Sequence, residues 1–140
     1  MRRNWVRSRE KGQRMAYQIE YAYSCHVGKV RNNNEDNFWC CGEMLAAENQ
    51  GIDHIRTGCV LQSEFPLLAV FDGMGGESCG EMASYLAARS CGEFYWKNKR
   101  RLREAPEAFL EDMCLQMNRA VCGYSSENKI QSMGTTAALI

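Results

Sequence analysis

No stretch of the 140-residue sequence is apolar enough to span a bilayer, and its first residues hold no apolar run. The reading therefore expects neither a membrane segment nor a signal peptide. Eight cysteines are present, yet there is no Cys-x-x-Cys pair and no Cys/His cluster at zinc spacing. Without a secretory context an even cysteine count does not imply a disulfide framework. Free thiols in a reducing cytoplasm are expected, several of them serving as small hydrophobes on helix faces. Only two histidines occur, His26 and His54, and neither sits in a recognisable motif. The absence of a Ser/His/Asp or Cys/His pairing argues against covalent nucleophilic catalysis. Internal repeats and low-complexity tracts are also missing.

Net charge is lacking as well: 17 basic and 17 acidic side chains cancel. The zero hides an asymmetry. Residues 1–14, "MRRNWVRSREKGQR", carry six basic groups and one acidic group. The remainder carries eleven basic and sixteen acidic groups, net −5, which argues against a nucleic-acid-binding body. The leader reads as a basic disordered tail (1–14), with Met15 as an alternative start and one domain over 15–140.

Hydrophobic periodicity supplies the elements. "YQIEYAYSC" alternates, with Tyr17, Ile19, Tyr21, Tyr23 and Cys25 on one face, as in a half-buried strand. "FWCC" reads as a short strand, and so does "GCVLQ" inside an otherwise weak segment, 42–64. "PLLAVF" is a continuous apolar run of strand length, expected to be buried on both faces. From Glu77 to about Trp96 the pattern is helical, with Met82, Ala83, Leu86, Ala87, Cys91, Phe94 and Tyr95 as its apolar stripe. "KNKRRLR" reads as a solvated basic link. A second helix starts near Ala105, Pro106 suiting its first turn. Phe109, Met113, Met117 and Val121 recur every four residues, and Gly123 is its expected stop. "MGTTAALI" reads as a strand entering a core.

Three polar features remain. The first is "RNNNED", with Arg31, Glu35 and Asp36. The second is Asp72 at the end of the apolar strand, followed by Gly73, Gly75 and Gly76. The third is "GTT" at 134–136. A carboxylate emerging from a core needs a partner, and a divalent cation is one. Gly73 lacks a side chain, so its carbonyl could approach the same ion. Oxygen donors favour Mg²⁺ or Mn²⁺. Arg31 has the planar fork that suits a phosphate. Together these groups make a workable set for metal-assisted phosphoester hydrolysis. Each taken alone also has a plain reading: a hairpin turn for Asp72-Gly73, a solvated loop for Glu35-Asp36, a surface residue for Arg31. Spacing by itself does not join them.

In combination, Arg31-x-x-Asn34-Glu35-Asp36, "VFDGMGG" at 70–76, "GxxAS" at 80–84 and "MGTT" at 133–136 resemble the bacterial type of PP2C (PPM) metal-dependent serine/threonine protein phosphatases. The resemblance covers about residues 17–140. It implies an α/β (α+β) fold, part of a four-layer α-β-β-α sandwich with antiparallel sheets, here incomplete, both helices covering one sheet. It implies Asp72 as the bridge between two Mn²⁺ or Mg²⁺ ions, Gly73 as a carbonyl ligand, and Glu35 as a ligand of the second ion. Asp36 would hold a water on the metal, and Arg31 would bind the substrate phosphate. The nucleophile implied is the water between the metals, and "GTT" is given a packing role beneath the site. The implied activity is dephosphorylation of phosphoserine and phosphothreonine on proteins, opposing a serine/threonine kinase in a bacterial cytoplasm. Family members complete the metal site with a "GDSR"-like strand and two further aspartates that these 140 residues do not contain. The chain is therefore expected to be truncated and to turn over little phosphopeptide by itself. The competing expectations are a degenerate phosphatase that binds phosphoproteins without turnover, and a purely structural α/β domain.

Overall fold

A computed structural model describes residues 17–75 and 79–140 of the chain. The basic leader (1–14), Gly76 and the expected start of the first helix at Glu77 lie outside those residues. Strand β1 (Gln18–Tyr23) alternates between exposed and half-buried side chains as its period-2 pattern requires. It pairs antiparallel with β3 (Arg56–Leu61), Tyr21 facing Gly58. A Cβ at Gly58 would collide with the Tyr21 ring, so the absent side chain leaves room for that tyrosine.

The second sheet is built on β4 (Leu68–Met74). One edge of β4 pairs antiparallel with β2 (Asp36–Cys40). The other edge takes two short strands, β5 (Gly134–Thr135) and β6 (Ala138–Leu139). Both keep one register along β4, Gly73 facing Thr135 and Val70 facing Ala138. "MGTTAALI" is thus one strand interrupted at Thr136, the residue beside Asp72.

Helix α1 (Gly80–Glu104) lies across this sheet, and α2 (Pro106–Glu127) packs chiefly on α1. Among the described residues α1 alone therefore covers the sheet, where two covering helices were expected. The basic run at 97–103 is not a link but the last two turns of α1. Arg101 and Arg103 there complement the negative end of the helix dipole, and Arg101 pairs with Asp112 of α2. Nor does Gly123 stop α2; the helix runs four residues further, because one glycine costs less than the surrounding packing provides.

The core joins Trp39, Ala69 and Phe71 from the sheet, Ala83, Ala87, Cys91 and Tyr95 from α1, and Phe109, Met113, Met117 and Val121 from α2. Every second residue of β4 points into it. The alternate residues do not: Val70 is 59% exposed and Met74 55%. The expectation of burial on both faces fails here because the β1–β3 sheet reaches over only part of the β4 sheet, through the Tyr23 ring on Phe38, 4.9 Å between centroids. All eight cysteines are free thiols.

Candidate active site

The antiparallel register of β2 and β4 places Asp36 directly opposite Asp72. One residue on, the Gly73 N–H donates to the Glu35 carbonyl at 3.1 Å. That makes Glu35/Gly73 the hydrogen-bonded kind of pair and Asp36/Asp72 the closer, unbonded kind, with side chains on one face. Burial and the facing Asp72 charge raise the Asp36 carboxyl above its ordinary value, while Arg31 pulls it the other way.

Asp72 is held from its other edge by the threonines. Its N–H donates to Thr136 Oγ1 at 3.2 Å, and its carbonyl accepts from the Thr136 N–H at 2.9 Å and from the Thr135 hydroxyl at 3.0 Å. The "GTT" stretch therefore positions the backbone of Asp72 directly, a role more specific than packing. A side-chain oxygen stands where a ladder carbonyl would, which explains the interruption between β5 and β6.

Gly73 is where the sheet meets the start of α1. A Cβ added there would lie 2.5 Å from the Glu35 carbonyl oxygen and closer still to that of Gly80. Gly80 in turn admits the Glu35 side chain: its own Cβ would lie 2.9 Å from Glu35 Cδ. Glu35 stands one residue ahead of β2 and turns its carboxylate toward Gly80, whose backbone abuts Gly73, while Asp36 faces Asp72. Arg31 Nη1 lies 3.4 Å from Glu35 Oε2, the arginine largely in solvent at 67% exposure.

A hard divalent ion suits the chemistry of the Asp36–Asp72 pair, since two carboxylates side by side need a positive partner. Among the described residues no group of three or more His, Cys, Asp or Glu side chains stands close enough to enclose an ion. His26 accepts the Gly28 N–H at Nδ1 and bridges to Gly51, a loop role, and His54 is an exposed loop residue.

Three asparagines, of which the sequence motif names Asn34 without giving it a role, turn out to be structural ties. Asn34 is 3% exposed, donates to Asn49 Oδ1 at 2.7 Å and accepts the Asp36 N–H at 3.2 Å. Asn37 is also buried and bonds both the N–H and the carbonyl of Leu45. Asn49 returns an oxygen to the Gly51 N–H at 2.9 Å. Residues 45–50, within the 42–64 stretch to which the sequence assigns no role, are thereby fastened to the acidic loop. The three-asparagine run before Glu35 was the available signal.

Comparison with known proteins agrees with the motifs. The chain is similar to part of the bacterial serine/threonine phosphatases that it matches. It is 32% identical over 112 residues to the serine/threonine phosphatase stp of Listeria monocytogenes serotype 4b (strain F2365), covering 78% of this chain and 37% of that protein. The stp of Listeria innocua serovar 6a is 31% identical over the same length. Among solved structures, the Mycobacterium tuberculosis serine/threonine phosphatase PstP/Ppp superposes with a TM-score of 0.55 at 27% identity, over 88% of this chain and 41% of that one. The chain thus spans well under half the length of the relatives it matches. No family model matches it.

Proposed function

We propose that the chain carries the phosphate-binding and part of the metal-binding half of a protein phosphatase active site, for hydrolysis of phosphoserine and phosphothreonine on proteins. The observation that carries this reading is the Asp36–Asp72 pair at the end of a paired strand, closed in by Gly73, with Arg31 beside it. Asp72, Glu35 and the Gly73 carbonyl would hold Mg²⁺ or Mn²⁺, two ions in a complete domain. A bound ion supplies charge neutralisation at the phosphoryl oxygens and makes a water more acidic. The chain's own groups do the rest. Arg31, only loosely paired with Glu35, turns its fork to the phosphoryl oxygens. Asp36, held opposite Asp72, orients the attacking water by a hydrogen bond. The threonine bonds keep Asp72 from reorganising as charge develops.

Stored in so few carboxylates, the site is expected to bind Mn²⁺ but to turn over phosphopeptide slowly compared with a full-length relative. The cytoplasm is the proposed location, with a serine/threonine kinase as the opposing activity. No helix among the described residues is long and apolar enough to cross a membrane. Calorimetric titration with Mn²⁺ tests the assignment: Asp72→Asn should abolish the binding that the parent shows. Equal binding by both chains would refute it, and turnover matching a complete phosphatase would refute the expected weakness.

A further inference from the structure

A polar cleft of about 470 Å³ opens beside the candidate site, lined by Asn32, Asn33, Glu48, Asn49, Gln50 and Glu81. It begins one residue after Arg31. It ends at Glu81, the neighbour of Gly80, whose backbone abuts Gly73. Its volume is within the usual range for ligand sites. Its walls are tied together: Asn34 holds Asn49 at 2.7 Å, and the Gln50 amide donates to the Asn32 carbonyl at 3.1 Å. The Ile52 N–H reaches the Cys25 carbonyl at 2.8 Å, fixing the far end of the same loop.

The lining has a distinctive chemistry. The side-chain amides of Asn32 and Asn33 offer donors and acceptors of the kind an extended peptide main chain needs, while Asn49 is spent on the wall itself and Gln50 keeps its oxygen. The two charged lining groups, Glu48 and Glu81, are both acidic, and neither has an ion-pair partner among the described residues. Arg31, the nearest cation in sequence, lies outside the lining, loosely paired with Glu35. A bound peptide would therefore meet two carboxylates and no basic lining group to match an acidic residue.

We infer that this cleft seats the residues flanking the phosphorylated serine or threonine and selects substrates with lysine or arginine there, a reading that rests on the phosphatase assignment above. Glu48 and Glu81 act as specificity residues and touch no reacting atom. Segment 42–55, fastened through Asn34 and Asn37, supplies one wall.

The test is fluorescence-polarisation binding of the 140-residue chain, with Mn²⁺ present, to three phosphothreonine peptides that differ only in arginine, alanine or glutamate flanks. Their unphosphorylated forms are run beside them. The arginine-flanked phosphopeptide should bind best and the glutamate-flanked one worst, about 2- to 5-fold apart for each contact, the strength of exposed ion pairs. Glu48→Gln/Glu81→Gln, two conservative surface changes whose folding is checked by circular dichroism, should level the three affinities while leaving the phosphate increment intact. Equal binding of the three phosphopeptides by the parent, or a preference that survives the double substitution, overturns the inference alone. Flank preference without any gain from the phosphate overturns the phosphatase reading and keeps the cleft assignment. No binding by any peptide overturns both.

Discussion

Replacing Gly73 by alanine should be among the most damaging single-methyl additions in this chain. Its φ is not positive, so the backbone conformation itself tolerates alanine, and the effect is steric. The new Cβ meets two carbonyl oxygens, those of Glu35 at 2.5 Å and of Gly80 nearer still. Neither is the tip of a flexible side chain. Relief requires the β2 backbone and the first residue of α1 each to retreat by at least about 0.5 Å, in an interior packed to crystal density. Overpacking ordinarily costs about 1–3 kcal/mol, and two main-chain clashes put this site at the upper end, roughly 3 kcal/mol. That is a large share of the roughly 5–15 kcal/mol available to a domain. Urea unfolding followed by circular dichroism provides the measurement, with Gly123→Ala as control. Gly123 lies inside α2 with nothing within 4 Å of an added Cβ, so alanine there should stabilise by about 0.5–1 kcal/mol. A Gly73→Ala chain within about 0.5 kcal/mol of the parent, the scale of ordinary surface substitutions, would refute the close approach on which the site is built.

Thr136→Val removes the acceptor of the Asp72 N–H and should cost about 0.5–1.5 kcal/mol in the same assay, whereas Thr136→Ser should not; equal stability of all three chains would show the bond to be idle. Met113→Ala, at a fully buried position between the helices, should cost about 2–5 kcal/mol, while Leu115→Ala, two residues on and exposed, should stay within about 0.5 kcal/mol; matching losses would contradict the assigned face of α2. Burial pushes the Cys91 thiol up to about 12 and, with the neighbouring Cys41, does the same to Cys40. Both stay protonated at pH 8, so a thiolate-directed reagent should label Cys41, Cys59, Cys114 and Cys122 first and Cys91 only on unfolding; early loss of Cys91 in a peptide map would disprove its burial.

What the sequence disclosed follows from how local each cause is. The period-2 pattern of β1 and the four-residue rhythm of Phe109, Met113, Met117 and Val121 record which face meets a neighbour, and both were readable. Val70 was not, since an apolar run cannot say that its outer half has no cover. The basic residues at 97–103 look like a link by charge, yet long basic side chains suit the last turns of a helix. In the site, Asp36 and Asp72 could be named but not paired, because register is set by the whole ladder and not by either residue. The motif residue Asn34 and its neighbour Asn37 had no legible role for a related reason: a buried asparagine looks the same in sequence as a solvated one until its partners, Asn49 and Leu45, are in place.

The carboxylate pair is fixed by hydrogen-bonded strands, while the adjoining cleft wall comes from the long connection between those strands. Rewriting that connection around a retained Asn49, the partner of the Asn34 that caps Asp36, should leave the rungs beneath Asp36 and Asp72 in place. If the proposed cleft reading holds, a different 42–55 loop that keeps Asn49 would change which flanking residues are accepted while sparing the carboxylate pair. Recognition and reaction would then be separately editable.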